Sequence, residues 1–422
     1  MTIRTAIRYG NDLQPVHIPR ANLLDEVGMQ PVAAAPDAVA VIRAALDQPV
    51  ASTRLEVLAR GKRRVVVLVD DLTRPTPADV ILPEVLGRLE SGGLPRESIS
   101  ILVATGTHRP MTPPELAAKV GTEVVARYRV ANHDYRLLDE IVHLGETPSG
   151  IPVTVNRQVA EADLVLAVGN IVPHRYCGWA GGAKMIQPGI GGEATTAGTH
   201  LMITKDPGAR LGVVENQVRH EMESVAEQVN LGFIVNTILD RDGHIVEVVA
   251  GDFRAAFRRG VERARRVYSA PLRAQADVVV ASAYPSDINF WQAGKALYSA
   301  DVVVRDGGII IIASPCYEGL GEHEEFVNLF QQDYRDIEQA IASGRVRDRI
   351  GAAAALAGSL IFARASIWLV SSHLTPTDAQ RMGFRLFRTA QEAVDTALRA
   401  KGEAAQLTVL HEATEILPVL AA

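Results

Sequence analysis

Short runs of β-branched residues alternate with stretches of helical spacing along most of this 422-residue chain. That alternation limits the fold more than any other feature. Residues 64–70 (RVVVLVD), 98–104 (SISILVA) and 162–168 (ADLVLAV) read as buried strands. Between them, residues 78–91 have helical spacing and close on Gly92-Gly93, and residues 114–120 form a short helix. The DRDG sequence at 240–243 separates two apolar runs and reads as a hairpin turn, followed by a helix over 252–268 with a basic outer face. The pattern then restarts. Residues 277–282 (DVVVAS) and 308–314 (GIIIIAS) are strands flanking a helix over about 289–300. Residues 367–371 and 406–410 are further strands, and 391–401 is helical. Strands alternating with helices imply parallel sheets joined by crossovers. The expected fold is therefore α/β, with two α/β domains and mostly parallel sheets. The length favours two domains over one core. An N-terminal domain is expected over 1–270 and a C-terminal domain over 276–404, with the tail from about 405 to 422 able to return to the first.

Composition narrows the function class. A net charge of −6 and a pI near 6.0 argue against a nucleic-acid partner. The two cysteines, Cys177 and Cys316, are too few for a disulfide framework and suit a reducing, cytoplasmic compartment. The opening residues lack an apolar signal-peptide region. The longest apolar stretch, 352–370, is interrupted by Arg364 and reads as a buried helix and strand rather than a membrane span.

In open α/β sheets, ligands bind beyond the carboxyl ends of the strands. Unusual polar residues collect at those ends here. The first strand runs into Asp71-Leu72-Thr73-Arg74-Pro75, the second into Gly106-Thr107-His108-Arg109, and the third into Pro173-His174. In the second domain the first strand leads to Trp291-Gln292-Ala293-Gly294-Lys295. Residues 169–200 are the densest segment, with His174, Lys184, His200 and six glycines between Gly178 and Gly192. So many glycines are costly in a core, and suit a backbone whose N–H groups approach an anionic ligand. His108 and His174 are the candidate acid/base pair, since an imidazole titrates near neutral pH. Arg74 and Arg109 can each grip a carboxylate with a planar fork. Gln292 and Lys295, three apart on a helix, can face one site. His133 is expected to be structural. The chain has no HExxH or CxxC, and GWAGGAK continues with Met185 rather than Ser or Thr, so zinc and P-loop readings are weak.

The set DDLTRPTP (70–77), GTHRPMT (106–112), PHRYCGWAGGAK (173–184), His200 and WQAGK (291–295) resembles the nickel-pincer-nucleotide-dependent lactate racemase family. The resemblance implies two α/β domains with the active site at their interface. It implies that Asp71, Leu72, Thr73 and Arg74 lie against the nickel-pincer nucleotide, a nickel-bearing pyridinium mononucleotide with two thiocarboxylate arms. Lys184 would be joined to it covalently, and His200 would be nickel's single protein ligand. His108 and His174 would be catalytic, while Arg74, Gln292 and Lys295 would bind a 2-hydroxy acid. The implied reaction moves the Cα hydrogen as hydride to the pyridinium, passes through a ketoacid, and returns the hydride to the other face. Racemisation needs a base on each face of one carbon, which accounts for two histidines. Cofactor-maturation enzymes would be the protein partners. The cofactor supplies the hard step and the protein positions it.

The substrate is expected to be lactate or another short aliphatic 2-hydroxy acid. Tyr176, Trp179, Tyr298 and Trp368 are aromatic candidates for a pocket wall. Malate or a sugar acid is the alternative within the family. A non-catalytic nickel or nucleotide carrier, and a dehydrogenase- or phosphate-transfer-like enzyme with a dissociable nucleotide, are the rivals outside it.

Overall fold

The computed structural model describes residues 1–421. Residues 31–267 form one compact unit, and residues 1–30 with those from 268 onward form the other.

The 31–267 unit is built on a six-stranded sheet. Its strand order is Ile245–Gly251, Leu231–Leu239, Leu164–Asn170, Val65–Asp70, Ile99–Ala104, Arg129–Asn132. All neighbours are parallel except the first pair, a hairpin closed by the 240–243 turn. Every residue of Val65–Asp70 is buried, as a central strand covered on both faces requires. Val65, Val67 and Val69 pack with Ile42 and Leu46 of helix Ala38–Asp47, and with Ile81, Leu82, Val85 and Leu89 of helix Ala78–Ser91. From Val65–Asp70 the chain proceeds outward to Ile99–Ala104 and Arg129–Asn132, then returns to place Leu164–Asn170 on the other flank. The order reverses at Val65–Asp70. The loops leaving that strand and Leu164–Asn170 therefore diverge at a switch point, where ligands bind in such sheets.

The other unit carries a second six-stranded sheet, ordered Arg385–Phe387, Ser366–Val370, Val304–Ala313, Ala276–Ser282, Leu407–Leu410, Leu23–Val27, with every pairing parallel. Its order reverses at Ala276–Ser282, the strand whose carboxyl end leads to Gln292 and Lys295. The apolar stretch 352–370 resolves into helix Arg349–Phe362 and strand Ser366–Val370. No helix among the described residues is long and apolar enough to cross a membrane.

Both ends of the expected domain division need correction. The first thirty residues belong with the C-terminal unit, and the tail stays there instead of returning to the N-terminal one. The reason is strand pairing. Leu23–Val27 lies in register beside Leu407–Leu410, and Ser269–Leu272 beside Leu417–Leu420, so each strand satisfies the other's backbone groups. An N-terminal hairpin, Thr2–Tyr9 with Asp12–Pro19, turns at Gly10 with φ +60°. It buries Ile7, Val16 and Ile18 against Val278, Val280 and Ile311 of the second sheet. The helix expected over 289–300 is broken at Gly294 into Phe290–Ala293 and Ala296–Val303.

Candidate active site

The loop after Val65–Asp70 is shaped by its own side chains. Asp71 Oδ1 accepts from Thr73 N at 3.0 Å and from Thr73 Oγ1 at 2.5 Å, a local turn that the short aspartate side chain favours. Arg74 Nη1 donates to Thr73 Oγ1 at 2.9 Å and Thr73 O at 3.1 Å, so its guanidinium is held against the turn. Beneath the loop, buried Lys119 donates to Arg74 O at 2.8 Å and Thr76 O at 3.0 Å and pairs with Asp70 Oδ1 at 2.7 Å. Lys119 comes from helix Pro113–Val120, capped by a reciprocal Thr112–Glu115 box.

The loop after Ile99–Ala104 delivers His108. Its Nδ1 lies 2.6 Å from Asp71 Oδ2. Asp71 is buried, which acts to raise its pKa. His108, Arg74 and Thr73 outweigh that and hold the carboxyl well below the usual carboxylate range. An ionised Asp71 fixes the proton on Nδ1 and leaves Nε2 as the basic nitrogen. Arg109 does not hold an external carboxylate as expected. Both its terminal nitrogens fork onto Glu115, at 2.9 and 2.8 Å. That ion pair, offset by partial burial, brings the Glu115 carboxyl down to about 2.

After Leu164–Asn170, Pro173–His174 pairs with Gly178–Trp179 in a minimal antiparallel ladder that presents His174. Its Nδ1 lies 3.4 Å from Tyr176 N and from the buried Cys177 Sγ. The Tyr176 ring sits 5.8 Å from the His174 ring and 4.6 Å from the His200 ring, so one aromatic bridges both imidazoles. His200 closes helix Glu193–His200, and its Nδ1 lies 2.8 Å from Thr196 O. A carbonyl only accepts, so Nδ1 carries the proton and Nε2 carries a lone pair. That is the tautomer of a metal-ligating histidine with its second nitrogen tied to the backbone.

The glycine loop differs from expectation. Four of its six glycine N–H groups donate within the protein. Gly182 N donates to Asn236 Oδ1, Gly189 N to Lys184 O, Gly191 N to Pro188 O and Gly192 N to Thr154 O. The glycines are there for close packing. A Cβ on Gly178, at φ +73°, would stand 1.8 Å from Val213 O, and one on Gly189 would stand 2.1 Å from Met185 O. The tight loop displays Lys184 on the short turn Gly182–Met185. Lys184 is half-buried and makes no side-chain hydrogen bond or ion pair with the described residues. Burial, and then the nearby charge of Arg74, bring its pKa down to about 8. His133, expected to be structural, is fully buried beneath this loop with Nε2 3.2 Å from Gly191 O.

In the other unit, Asn289 caps the turn Phe290–Ala293 by accepting from Gln292 N at 3.0 Å, and Lys295 Nζ donates to Gln292 Oε1. The two residues read as sharing a face are thus directly bonded. Gln292 is buried and Lys295 half-buried. Trp179 and Trp368, named as possible walls, are core residues.

Sequence reasoning missed the Asp71–His108 bond, the Lys119 tripod and buried Arg219. Asp71 was legible as a loop residue but its partner was not, because thirty-seven positions separate the two. A fit test for the implied cofactor can be read from the donors. Among the described residues the one cluster of three or more potential metal donors, Asp240–Asp242–His244, lies on the 240–244 hairpin turn. His200 belongs to no such cluster, so a metal held there would have to take its other ligands from a bound group. Lys184 offers a half-buried amine shifted toward its neutral form. Both features fit a covalently anchored, metal-bearing group.

Models of the lactate racemase N-terminal and C-terminal domains match residues 9–212 and 272–417. The chain is 33% identical to the lactate racemase of Lactiplantibacillus plantarum over 382 residues, 89% of this chain and 90% of that one. It is 35% identical to the lactate racemase of Thermoanaerobacterium thermosaccharolyticum over 314 residues, 73% of each. The solved lactate racemase apoprotein from the latter organism superposes with a TM-score of 0.87 at 28% identity, covering 99% of this chain and all of that one. A Thermotoga maritima protein shares the fold at a TM-score of 0.69 and 19% identity, over 87% of this chain and 97% of its own.

Proposed function

The chain belongs to the lactate racemase family, and from that premise we propose that it interconverts the enantiomers of lactate or another short aliphatic 2-hydroxy acid. The observation that carries the reading is the arrangement around Asp71. One loop turn ties a carboxylate to His108 and holds Arg74, while Tyr176 links His174 to His200.

His108 and His174 hold and move the hydroxyl proton, each acting on its own face of the substrate carbon. Asp71 keeps His108 in the tautomer with a basic Nε2 and stabilises the imidazolium once the proton arrives. Arg74, Gln292 and Lys295 are assigned to the substrate, with the cations on its carboxylate and the Gln292 amide as a donor. The bonded Gln292–Lys295 pair keeps two donors together before substrate arrives.

Asp71, Leu72, Thr73 and Arg74 would lie against the nickel-pincer nucleotide, Lys184 would be its covalent anchor and His200 its protein ligand to nickel. When bound, this group supplies the electrophilic carbon that accepts the Cα hydrogen with its electron pair. The chain's part is to bind, orient and shuttle the proton. His200 would give the metal a single imidazole, with the remaining ligands supplied by the bound group. The glycine loop supports this reading over a dissociable nucleotide, because four of its six glycine N–H groups are donated within the protein. Two buried free cysteines suit the cytoplasmic location proposed.

The test is direct. Protein co-produced with the cofactor-maturation enzymes is given single enantiomers of lactate, malate and a sugar acid, and the opposite forms are measured by chiral chromatography. Nickel content and intact mass are measured on the same sample. Racemisation of lactate, one nickel per chain and a mass adduct on Lys184 are expected. No interconversion of any 2-hydroxy acid by nickel-loaded, adduct-bearing protein would overturn the reading.

A further inference from the structure

We propose that Arg219 is a positioning residue for Lys184: its buried guanidinium ties the glycine loop into the conformation that presents that amine. Arg219 lies on helix Gln217–Gln228 and is 0% exposed. Arginine is almost never so buried without a partner. Its partners here are main-chain carbonyls of the PHRYCGWAGGAK segment. Nη1 donates to Gly181 O at 3.2 Å, and Nη2 to Trp179 O and, at 3.5 Å, to Cys177 O. The guanidinium lies over the Phe257 ring, 4.1 Å from its centroid. Its Nε is buried with no hydrogen-bond partner. The nearby carboxylate of Glu223 is engaged by Arg254 and Arg258 instead.

A well-packed apolar side chain often fills such a space at no loss of stability. Burying a cation here is explained by what the fork does. Its planar donors reach carbonyls two residues apart, which a point charge on a flexible stem does not reproduce. The Gly181 carbonyl is the key contact. It also accepts from Lys184 N at 3.2 Å, so the bond that starts the lysine-bearing turn and the bond from Arg219 meet on one oxygen. Gly181 and Gly182 sit at φ +92° and +57°, and a turn built on them needs an external hold.

The charged and titratable groups facing Lys184 are Arg74, Arg219, Asp71 and the Cys177 thiol. The two arginines reinforce the effect of burial and disfavour the ammonium, while Asp71 and Cys177 oppose them. One buried group thus both aims the amine and favours its neutral form. The inference rests on the reading of Lys184 as an anchor for its purpose, but not for its geometry.

The test uses cofactor-free protein, with Lys184 and exposed Lys205 acetylated competitively across pH and quantified by peptide mass. In wild type, Lys184 should label with a midpoint near pH 8, below the usual lysine range. In Arg219→Met with wild-type helix content, the Lys184 midpoint should move up toward that range. Labelling at pH 8 relative to Lys205 should fall about two- to sixfold, the equivalent of half to one pKa unit when the midpoint starts near pH 8. Arg219→Lys, which keeps a cation but not the fork, should fold and shift part of the way. A Lys184 midpoint unchanged in folded Arg219→Met overturns the proposal. If that variant does not fold, an unchanged midpoint in Arg219→Lys overturns it. Protein co-produced with the maturation enzymes should show adduct occupancy falling along the same series. A shifted midpoint with no adduct even in wild type would count against the anchor reading and leave the role of Arg219 standing.

Discussion

At the scale of single residues, the Asp71–His108 bond offers the sharpest test. A positioned acid or base is typically worth 10²–10⁴-fold in rate. His108→Ala and His174→Ala should each lower kcat/KM by about that factor in both directions, because the equilibrium constant fixes the ratio of forward to reverse kcat/KM. Asp71→Asn removes the charge that fixes the His108 tautomer. It should cost less than His108→Ala, and the double variant should be no slower than His108→Ala alone, as expected for groups acting as a unit. Initial rates from each enantiomer check this, and a wild-type rate in Asp71→Asn would make the 2.6 Å bond a structural one. A second pair of variants separates anchor from ligand. Lys184→Arg keeps the charge but offers no amine to acylate, so the mass adduct and all activity should vanish. His200→Ala should keep the adduct and lose nickel, read by intact mass beside metal analysis. Nickel at wild-type stoichiometry in His200→Ala would place the ligand elsewhere. These residues were legible because each sits in a short motif at a strand end. Arg219 and Lys119 were not, because both lie on helices where a lone cation reads as solvated, and only the fold turns them inward.

At the scale of elements, the glycine loop and the histidine under it behave as one packed piece. His133 is fully buried, and burial, opposed by the Gly191 carbonyl and Asp134, lowers its pKa to about 4. The sign follows from linkage. Between the unfolded value near 6.5 and the folded value near 4, the unfolded chain binds the extra proton, so stability is full above pH 6.5 and is lost as pH falls through that window. The shift corresponds to roughly 3 kcal/mol at most. Chemical denaturation of wild type from pH 7 to pH 4 should show this loss, and His133→Gln should flatten the slope while lowering stability at pH 7. An unchanged slope in His133→Gln would mean that other groups set the acid limit. A glycine run signals close approach without saying to what. Gly178 and Gly189 approach the protein's own backbone, and four of the six glycine N–H groups are taken internally. The strands were easier to read. Residues 65–69, 101–103 and 278–281 are continuous apolar runs whose burial on both faces is written in composition. The N-terminal hairpin was not, although its alternation around Tyr9-Gly10-Asn11-Asp12 carried the signal. Its face is covered by strands and by helix Ala390–Lys401, all distant in sequence.

At the scale of the whole molecule, α/β class was readable from local periods, while the assignment of both termini to the second unit was not. Strand pairing across nearly 400 residues, as between Leu23–Val27 and Leu407–Leu410, leaves no local mark in sequence. The reaction too is a property of the assembled protein, and isotopes test it without presuming any one residue's role. Both candidate bases are imidazoles, and imidazole protons exchange with water far faster than an enzyme turns over. If either histidine removed the Cα hydrogen as a proton, product formed in heavy water would carry solvent deuterium at Cα. If the histidines handle only the hydroxyl proton, the Cα hydrogen leaves with its electron pair, is held apart from solvent and returns. The holoenzyme acting on D-lactate in heavy water should therefore give L-lactate that keeps its original hydrogen, read by mass spectrometry and proton NMR. Substrate deuterated at Cα should react more slowly, and acid-quenched mixtures should contain a trace of the ketoacid. His108→Ala and His174→Ala should lower the rate without changing this retention, since neither side chain carries that hydrogen. Full deuterium incorporation at Cα would assign proton abstraction to the histidine pair and exclude transfer of hydride.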